Sequence, residues 1–340
     1  MYAVIQGEDV TAAPLAGHEG VVEGRSRATL RWSEVPDPVI EPGQVLLRVH
    51  GSAINRADLL QAQGLYPPPV GSSPYLGLEA AGEVVATSGP VGEWRLGDRG
   101  MALLQGGGFA ELVAVDARHL LPIPRALTLS QAGGVMEVFV TAYLNVMELG
   151  GLKRGERLLV SGGSGGVGSA AIQLGVAAGA TVFTTAGAPQ RVEHCLRLGA
   201  HEAFDHRGAG DAVFRRLAEL GGADVVLDCM GASHLDRNLS ACAPGGRCLG
   251  LGLQGGRRAT IDLGRLLTAR LTLKGSTLRG LPADDKAALL ERFRATVWPE
   301  LDAGRLRVVT SHRFRMAETD EALDVLRRGA HLGKILLTVA

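Results

Sequence analysis

The residues with the plainest chemical use stand in one short stretch. Leu158–Gly175 reads LLVSGGSGGVGSAAIQLG, and Gly163, Gly165 and Gly168 hold the spacing G-x-G-x-x-G. An apolar run precedes this loop, and an apolar run with helical spacing follows it. A strand–loop–helix junction stripped of side chains lets backbone N–H groups approach a pyrophosphate, and the helix start adds partial positive charge. Gly165, Gly166 and Val167 are the expected phosphate neighbours. Gly163 belongs to the same loop, and Gly168 lets the helix pack close to the strand. A flexible Gly/Ser linker is the competing reading, and the apolar flanks on both sides speak against it.

The second strand of such a unit decides which dinucleotide fits. NAD sites usually place Asp or Glu about 20 residues past the first glycine, on the ribose 2′-hydroxyl. Here the strand ends VFTTAGAPQR, and Thr184, Thr185 and Ala186 hold the corresponding positions. None is acidic. Arg191 follows, and a guanidinium without a competing carboxylate suits a 2′-phosphate, hence NADP.

The elements that must position this loop form an alternating pattern. Strands are expected at Arg157–Ser161, Thr181–Thr185, Glu202–Asp205, Asp224–Asp228, Arg247–Leu251 and Leu271–Lys274. Helices are expected at Gly166–Ala178, Gln190–Leu198, Asp211–Leu220 and Ser233–Ala241. Alternation at this spacing implies a parallel, doubly wound sheet. Residues 1 to about 130 read instead as β-rich, with apolar or alternating runs at 43–54, 77–89 and 107–124. After 276 come a long helix, Asp284–Leu301, and a last strand in GKILLTV.

Composition narrows the class. The chain has 340 residues, 46% apolar and 21% charged, with zero formal net charge. That length suits about two domains. A neutral chain offers no broad basic face for nucleic acid. Cys195, Cys229, Cys242 and Cys248 form no CxxC pair, so neither a disulfide scaffold nor a clustered structural zinc is expected. No apolar run reaches the roughly 18 to 20 residues of a membrane span, and MYAVIQGEDV lacks the pattern of a signal peptide. A cytoplasmic enzyme is the expectation.

Two further stretches, SAINRADLLQAQGLYPPP (52–69) and PYLGLEAAGEVV (74–85), join the glycine loop and the terminal GKILL. Together and in order, over nearly the whole chain, they resemble the zeta-crystallin-like quinone oxidoreductase branch of the medium-chain dehydrogenase/reductase superfamily. Within it they are most similar to the tumour-suppressor-inducible NADPH quinone oxidoreductases. The resemblance implies an α/β protein with a GroES-like β-rich substrate domain (1–133 and 277–340) and an inserted Rossmann domain (134–276). It implies a cofactor in the cleft between them, and a homodimer or tetramer joined through the strand near Leu271–Lys274.

Zinc members of the superfamily carry a Cys ligand just before the segment that here reads NRAD, and a His in a GHE motif. Here the segments read SAINRAD and Gly77-Leu78-Glu79. Leucine cannot ligate a metal, and His18, His50 and His119 form no recognisable ligand spacing. Without a Lewis acid, an already electrophilic acceptor is expected: a quinone first, a conjugated enone or enal second. A nucleotide-retaining binding protein is the third reading.

By the resemblance, Tyr66 lines the acceptor site and could stack on the acceptor or donate to its oxygen. Asn55 lies near the nicotinamide as a second catalytic candidate, its amide placed to orient substrate or cofactor, with Asp58 in the same group. Thr141 lies near the nicotinamide ribose or carboxamide, and His331 where relatives have a cofactor-contacting polar residue. His206 stands where relatives carry a tyrosine near the adenosine, although Asp205 beside it would repel phosphate. Gly231, Leu251 and Leu253 are placed at the C-terminal ends of later strands, where ligands sit in such sheets. Segment 8–27 is longer than in the relatives and is expected to form a longer hairpin.

Overall fold

The structure, a computed structural model, describes residues 1–7, 29–208 and 210–339. Segment 8–27, with His18, lies outside the described residues. In chain order the elements are β1 (Tyr2–Gln6), β2 (Leu30–Glu34), β3 (Gln44–Ala53), α1 (Arg56–Ala62), β4 (Glu79–Ser88), β5 (Arg99–Leu103), β6 (Leu112–Asp116), β7 (Leu120–Pro122), α2 (Leu129–Ala132) and α3 (Met136–Tyr143). Next come β8 (Arg157–Val160), α4 (Gly166–Ala177), β9 (Thr181–Ala186), α5 (Pro189–Arg197), β10 (Glu202–Asp205), α6 (Ala212–Glu219), β11 (Ala223–Asp228), α7 (Ala232–Ala241), β12 (Cys242–Gly250), α8 (Leu263–Thr268) and β13 (Thr272–Gly275). The last are α9 (Ala283–Thr296), α10 (Trp298–Asp302), β14 (Thr310–Arg315), α11 (Thr319–Arg327) and β15 (Lys334–Thr338).

The chain divides into two compact units. The first comprises Met1–Glu137, Leu301–Ala303 and Thr310–Ala340. Its main sheet has the order β14-β15-β3-β4-β5-β7, with β6 also pairing β3, and β1 and β2 pair separately. In β3 the alternate residues Val45, Leu47 and Val49 are buried, the period-2 signature of one covered face. They join Leu76, Phe109 and Leu337 in one apolar core.

The second unit comprises Val138–Glu300 and Gly304–Val309. Six strands run parallel in the order β10-β9-β8-β11-β12-β13. With β8 counted as strand one, this is the order 3-2-1-4-5-6 of dinucleotide-binding sheets. Consecutive residues Leu158, Leu159 and Val160 are all fully buried, as expected where helices cover both faces of a parallel sheet. The chain reverses its direction of travel across the sheet at β8 and β11, whose C-terminal ends form the topological switch point.

Two sequence expectations are corrected here. The helix expected over Asp284–Leu301 is two helices, α9 and α10, with the break at Val297. Pro299 has no N–H for a helical bond, and its ring would clash with the preceding turn, so it is tolerated only in the first turn of a new helix. Strand β12 starts five residues before the expected Arg247, at Cys242. Pro244, Gly245 and Gly246 read as a turn, but a register shift between Ala223 and Val225 keeps β11 paired past them.

Candidate functional site: a dinucleotide loop and a buried polar cluster

The loop after β8 is shaped by one backbone angle and two close approaches. Gly162 has φ +79°, which a side chain would strain. A Cβ on Gly163 would stand 2.1 Å from the Thr184 hydroxyl, and one on Gly168 would stand 2.2 Å from the Gly162 carbonyl. These two glycines are therefore demanded by the protein itself. Gly165 is different. Its Cβ would meet nothing closer than the Gly162 carbonyl at 3.7 Å. It is the N-cap of α4 and has no side chain to cap the helix, so Gly166 and Val167 open α4 with backbone donors that lie beyond the reach of intrahelical acceptors. An uncapped helix start beside a position with room is a cradle for an anionic group.

The end of β9 braces this loop. Thr184 is fully buried and donates to the Val160 carbonyl at 2.8 Å. Thr185 accepts from Gly162 N through its hydroxyl at 3.2 Å and from Gly163 N through its carbonyl at 2.9 Å. Across the switch point, the Cys229 thiol donates to the Ser161 carbonyl at 3.0 Å. Arg191 on α5 reaches the loop directly, its Nη1 donating to Ser164 Oγ at 3.2 Å. Thus Gly163, Gly165, Gly166, Val167, Gly168 and Arg191 are brought together.

Gly231 lies just beyond β11, with φ +74°, and packs on the loop after β12. A Cβ there would sit 2.8 Å from the Gly256 carbonyl and 3.1 Å from Leu253 Cδ2. Leu251 N–H donates to the Asp228 carbonyl at 2.9 Å. These three expected residues meet at the strand ends, with Leu253 exposed. His206 follows β10 and is exposed beside Gly187. Thr141 is half-buried on α3, and its carbonyl accepts from Asn145 Nδ2 at 2.9 Å where α3 widens into a π-turn.

Asn55, Tyr66 and His331 belong to the first unit. Tyr66 is half-buried in the bend after α1, and His331 is half-buried just before β15. Asn55 sits in a cluster that sequence reasoning did not assemble. The Lys334 ammonium donates to Glu79 Oε1 at 2.8 Å, Asn55 Oδ1 at 2.5 Å and the Ile54 carbonyl at 3.0 Å. Asn55 Nδ2 donates to Glu79 Oε1 at 3.0 Å and to the Ala53 carbonyl at 3.1 Å. Glu79 Oε2 accepts from Glu137 N at 3.1 Å. Both amide hydrogens of Asn55 and all three ammonium hydrogens of Lys334 are thereby engaged. The available signal was a charge at the start of each of two apolar strands, LEAAGEVV and KILLTV, since such a charge needs a partner once buried.

Asp58 completes the group. Its carboxylate accepts from Asn55 N at 2.7 Å and Gly77 N at 3.0 Å, tying the start of α1 to the chain leading into β4. Burial pushes its carboxyl up to about 7, opposed by those two N–H donors. The folded state therefore holds a proton that the unfolded state has lost between the ordinary carboxylate range and about pH 7, and stability from this group falls as pH rises through that window. Asp58→Asn should flatten that fall, read as denaturation midpoints at pH 5 and pH 8. An unchanged difference between the two midpoints would show that Asp58 is not the titrating group.

Comparison with known proteins follows the same division. Residues 41–125 match the family described as "Alcohol dehydrogenase GroES-like domain", and residues 166–295 match "Zinc-binding dehydrogenase". A solved quinone oxidoreductase from Thermus thermophilus, also determined in complex with NADPH, is 31% identical. The match covers 92% of this chain and 97% of that one, with a TM-score of 0.79. The chain belongs to the medium-chain dehydrogenase/reductase superfamily. It thus has a GroES-like β domain and a Rossmann domain, and its glycine loop fits the nicotinamide dinucleotide of that superfamily. A mycocerosic acid synthase-like polyketide synthase of Mycobacterium tuberculosis is 33% identical over 304 residues. That match takes in 88% of this chain but 14% of the synthase, so the chain spans about a seventh of such relatives. The solved JamJ enoyl reductase shares the fold at a TM-score of 0.81 and 24% identity, covering 92% of this chain and 95% of that one. No helix among the described residues is long and apolar enough to cross a membrane, and no three of their His, Cys, Asp or Glu side chains gather as a metal-ligand set.

Proposed function

We propose that this reductase carries hydride from NADPH to a quinone, without zinc. The observation that carries the reading is the pairing of an open glycine cradle with a β9 end that bears no carboxylate. When bound, the reduced nicotinamide supplies the hydride. The N–H groups of Gly166 and Val167 hold the pyrophosphate, with Gly165 as its close neighbour, and the strand end of Thr184, Thr185 and Ala186 carries no carboxylate to oppose a 2′-phosphate. The 31%-identical Thermus relative, named for a quinone and solved with NADPH, supports the same choice.

The residues do not fit the zinc that the name of one matched family carries. Leu78 is fully buried, and its neighbour Glu79 is committed to Lys334. A Lewis acid is therefore not the means of activation in this reading. The acceptor must be electrophilic in itself, and the chain's task is to bind, orient and desolvate it. Tyr66 is the proposed hydrogen-bond donor to the acceptor oxygen as charge grows on it. Asn55, its amide hydrogens engaged, acts by holding the cluster in place. Thr141 and His331 are proposed cofactor neighbours, with Gly231, Leu251 and Leu253 at the strand ends. The proposed partner is a second copy joined along β13, an edge strand whose four residues are all exposed, with Leu273 on it and Leu263 and Leu267 exposed on α8. Sedimentation at micromolar protein tests this, and a single monomer species would rule it out.

The test of the reaction follows the oxidation of NADPH and, in parallel, NADH by chelator-treated protein offered ortho- and para-quinones or conjugated enals. Quinone turnover that prefers NADPH is the expected result. Turnover with enals alone would make it an enone reductase on the same scaffold. NADPH binding without turnover of either class would overturn the reductase reading.

A further inference from the structure

Threonine hydroxyls within helices often turn back on their own backbone. Thr268 and Thr296 do so here, donating to the carbonyls of Gly264 at 2.8 Å and Arg292 at 2.7 Å. Thr141 does not. Its side chain makes no hydrogen bond to any of the described residues, while its carbonyl accepts from Asn145 Nδ2 at 2.9 Å. Asn145 is fully buried, a costly place for an amide unless both of its ends find partners. They do. Nδ2 takes the Thr141 carbonyl one turn back, and Oδ1 accepts from Ser276 Oγ at 2.8 Å. Asn145 also shapes the wide turn over Leu144–Leu149, since its carbonyl accepts from Gly150 N, five residues on, at 2.8 Å. Widened turns of this kind recur at functional sites. Ser276 stands just past β13, half-buried, and its N–H donates to the Gly250 carbonyl at the end of β12, at 3.1 Å. Leu251 comes next. Hydrogen bonds thus lead, residue by residue, from the Thr141 backbone to the strand ends where Leu251 and Gly231 lie.

We infer that Asn145 and Ser276 are positioning residues for the nicotinamide half of the cofactor. They fix the backbone of Thr141 so that its unspent hydroxyl meets the ribose or carboxamide. The inference rests on the cofactor reading above, which makes Thr141 a cofactor neighbour. Thr141, Asn145 and Ser276 all belong to the second unit. Asn145, fully buried, acts through Thr141 and not on the ligand. Ser276 holds Asn145 by its acceptor oxygen, which leaves the amide nitrogen directed at the Thr141 carbonyl. A hydroxyl held in place before binding loses less freedom when the ligand arrives.

Binding of NADPH and of 2′,5′-ADP, which lacks the nicotinamide half, tests this without any turnover. Ser276→Ala should weaken NADPH by about three- to tenfold, the span of one neutral hydrogen bond, and leave 2′,5′-ADP within about twofold. Asn145→Leu should show the same selective loss, and Ser276→Ala keeps the test open if Asn145→Leu does not fold. Thr141→Val should weaken NADPH at least as much, with the same selectivity. Adding Ser276→Ala to Thr141→Val should then cost nothing further, because Ser276 acts through that hydroxyl. Equal losses of both ligands in Ser276→Ala, no loss in it, or full additivity in the double variant would overturn the inference. A selective loss in Thr141→Val would still leave the cofactor reading standing in those cases. Undiminished NADPH binding in Thr141→Val would overturn the inference and the placing of Thr141 together. Wild-type protein that fails to bind NADPH would overturn the cofactor reading itself.

Discussion

Lys334→Met should cost the first unit about 3–5 kcal/mol, the usual penalty for leaving one member of a buried ion pair alone. Lys334 and Glu79 have side chains 3% and 1% exposed, so neither can turn to water when its partner is lost. The deletion strands the Glu79 carboxylate and also removes the donor to Asn55 Oδ1 and to the Ile54 carbonyl. Glu79→Gln, which keeps shape and one acceptor, should cost less. The double variant Lys334→Met/Glu79→Gln should recover part of the single Lys334→Met loss, because no uncompensated charge remains. Chemical denaturation of all four proteins closes the cycle. Additive effects would show that the pair is not coupled, and the cluster would then not be the unit described.

Gly165→Ala and Gly168→Ala should part company, although they lie in one motif. Alanine at 165 meets no protein atom closer than 3.7 Å, and its backbone, φ −81° and ψ 177°, suits any residue. Its folding stability should match wild type to within about 0.5 kcal/mol, the range of substitutions that touch nothing. NADPH affinity should nevertheless fall by on the order of tenfold or more, since the methyl fills the cradle where backbone donors meet the phosphate. Alanine at 168 would sit 2.2 Å from the Gly162 carbonyl and 2.7 Å from Gly163 Cα, so loop and helix must separate. That overpacking should cost about 1–3 kcal/mol. It should also cost binding, because the loop moves off the helix start. Thermal melts with and without NADPH, plus a fluorescence titration, distinguish the two. Undiminished binding in Gly165→Ala would mean that no phosphate approaches there, and the dinucleotide reading would lose its support.

Much of the second unit was legible in the chain because its information is local. Short apolar runs separated by helical periods state a parallel sheet, and the glycine spacing states where the first helix opens. The strand over Glu202–Asp205 stands where its residues placed it, and α4, α5, α6 and α7 differ from expectation by a residue or so at their ends. The α9–α10 break was visible in Pro299, but helical periodicity on both sides concealed it. The absence of a carboxylate at the end of β9 could also be read directly.

The polar cluster of the first unit could not be read from the chain at all. Glu79 and Lys334 are 255 positions apart, by subtraction of their numbers in the sequence. Antiparallel pairing of Leu336 with Ala53 carries Lys334 opposite Asn55, and pairing of Ala80 with Ser52 brings Glu79 beside the end of the same strand. Two registers along β3 make one ion pair, and no pattern within either motif contains those registers. Local patterns specified the fold class, the glycine cradle and the lack of an acid for the ribose, because each depends on neighbours a few residues apart. The partner of each buried charge arises only when β3 gathers β4 and β15.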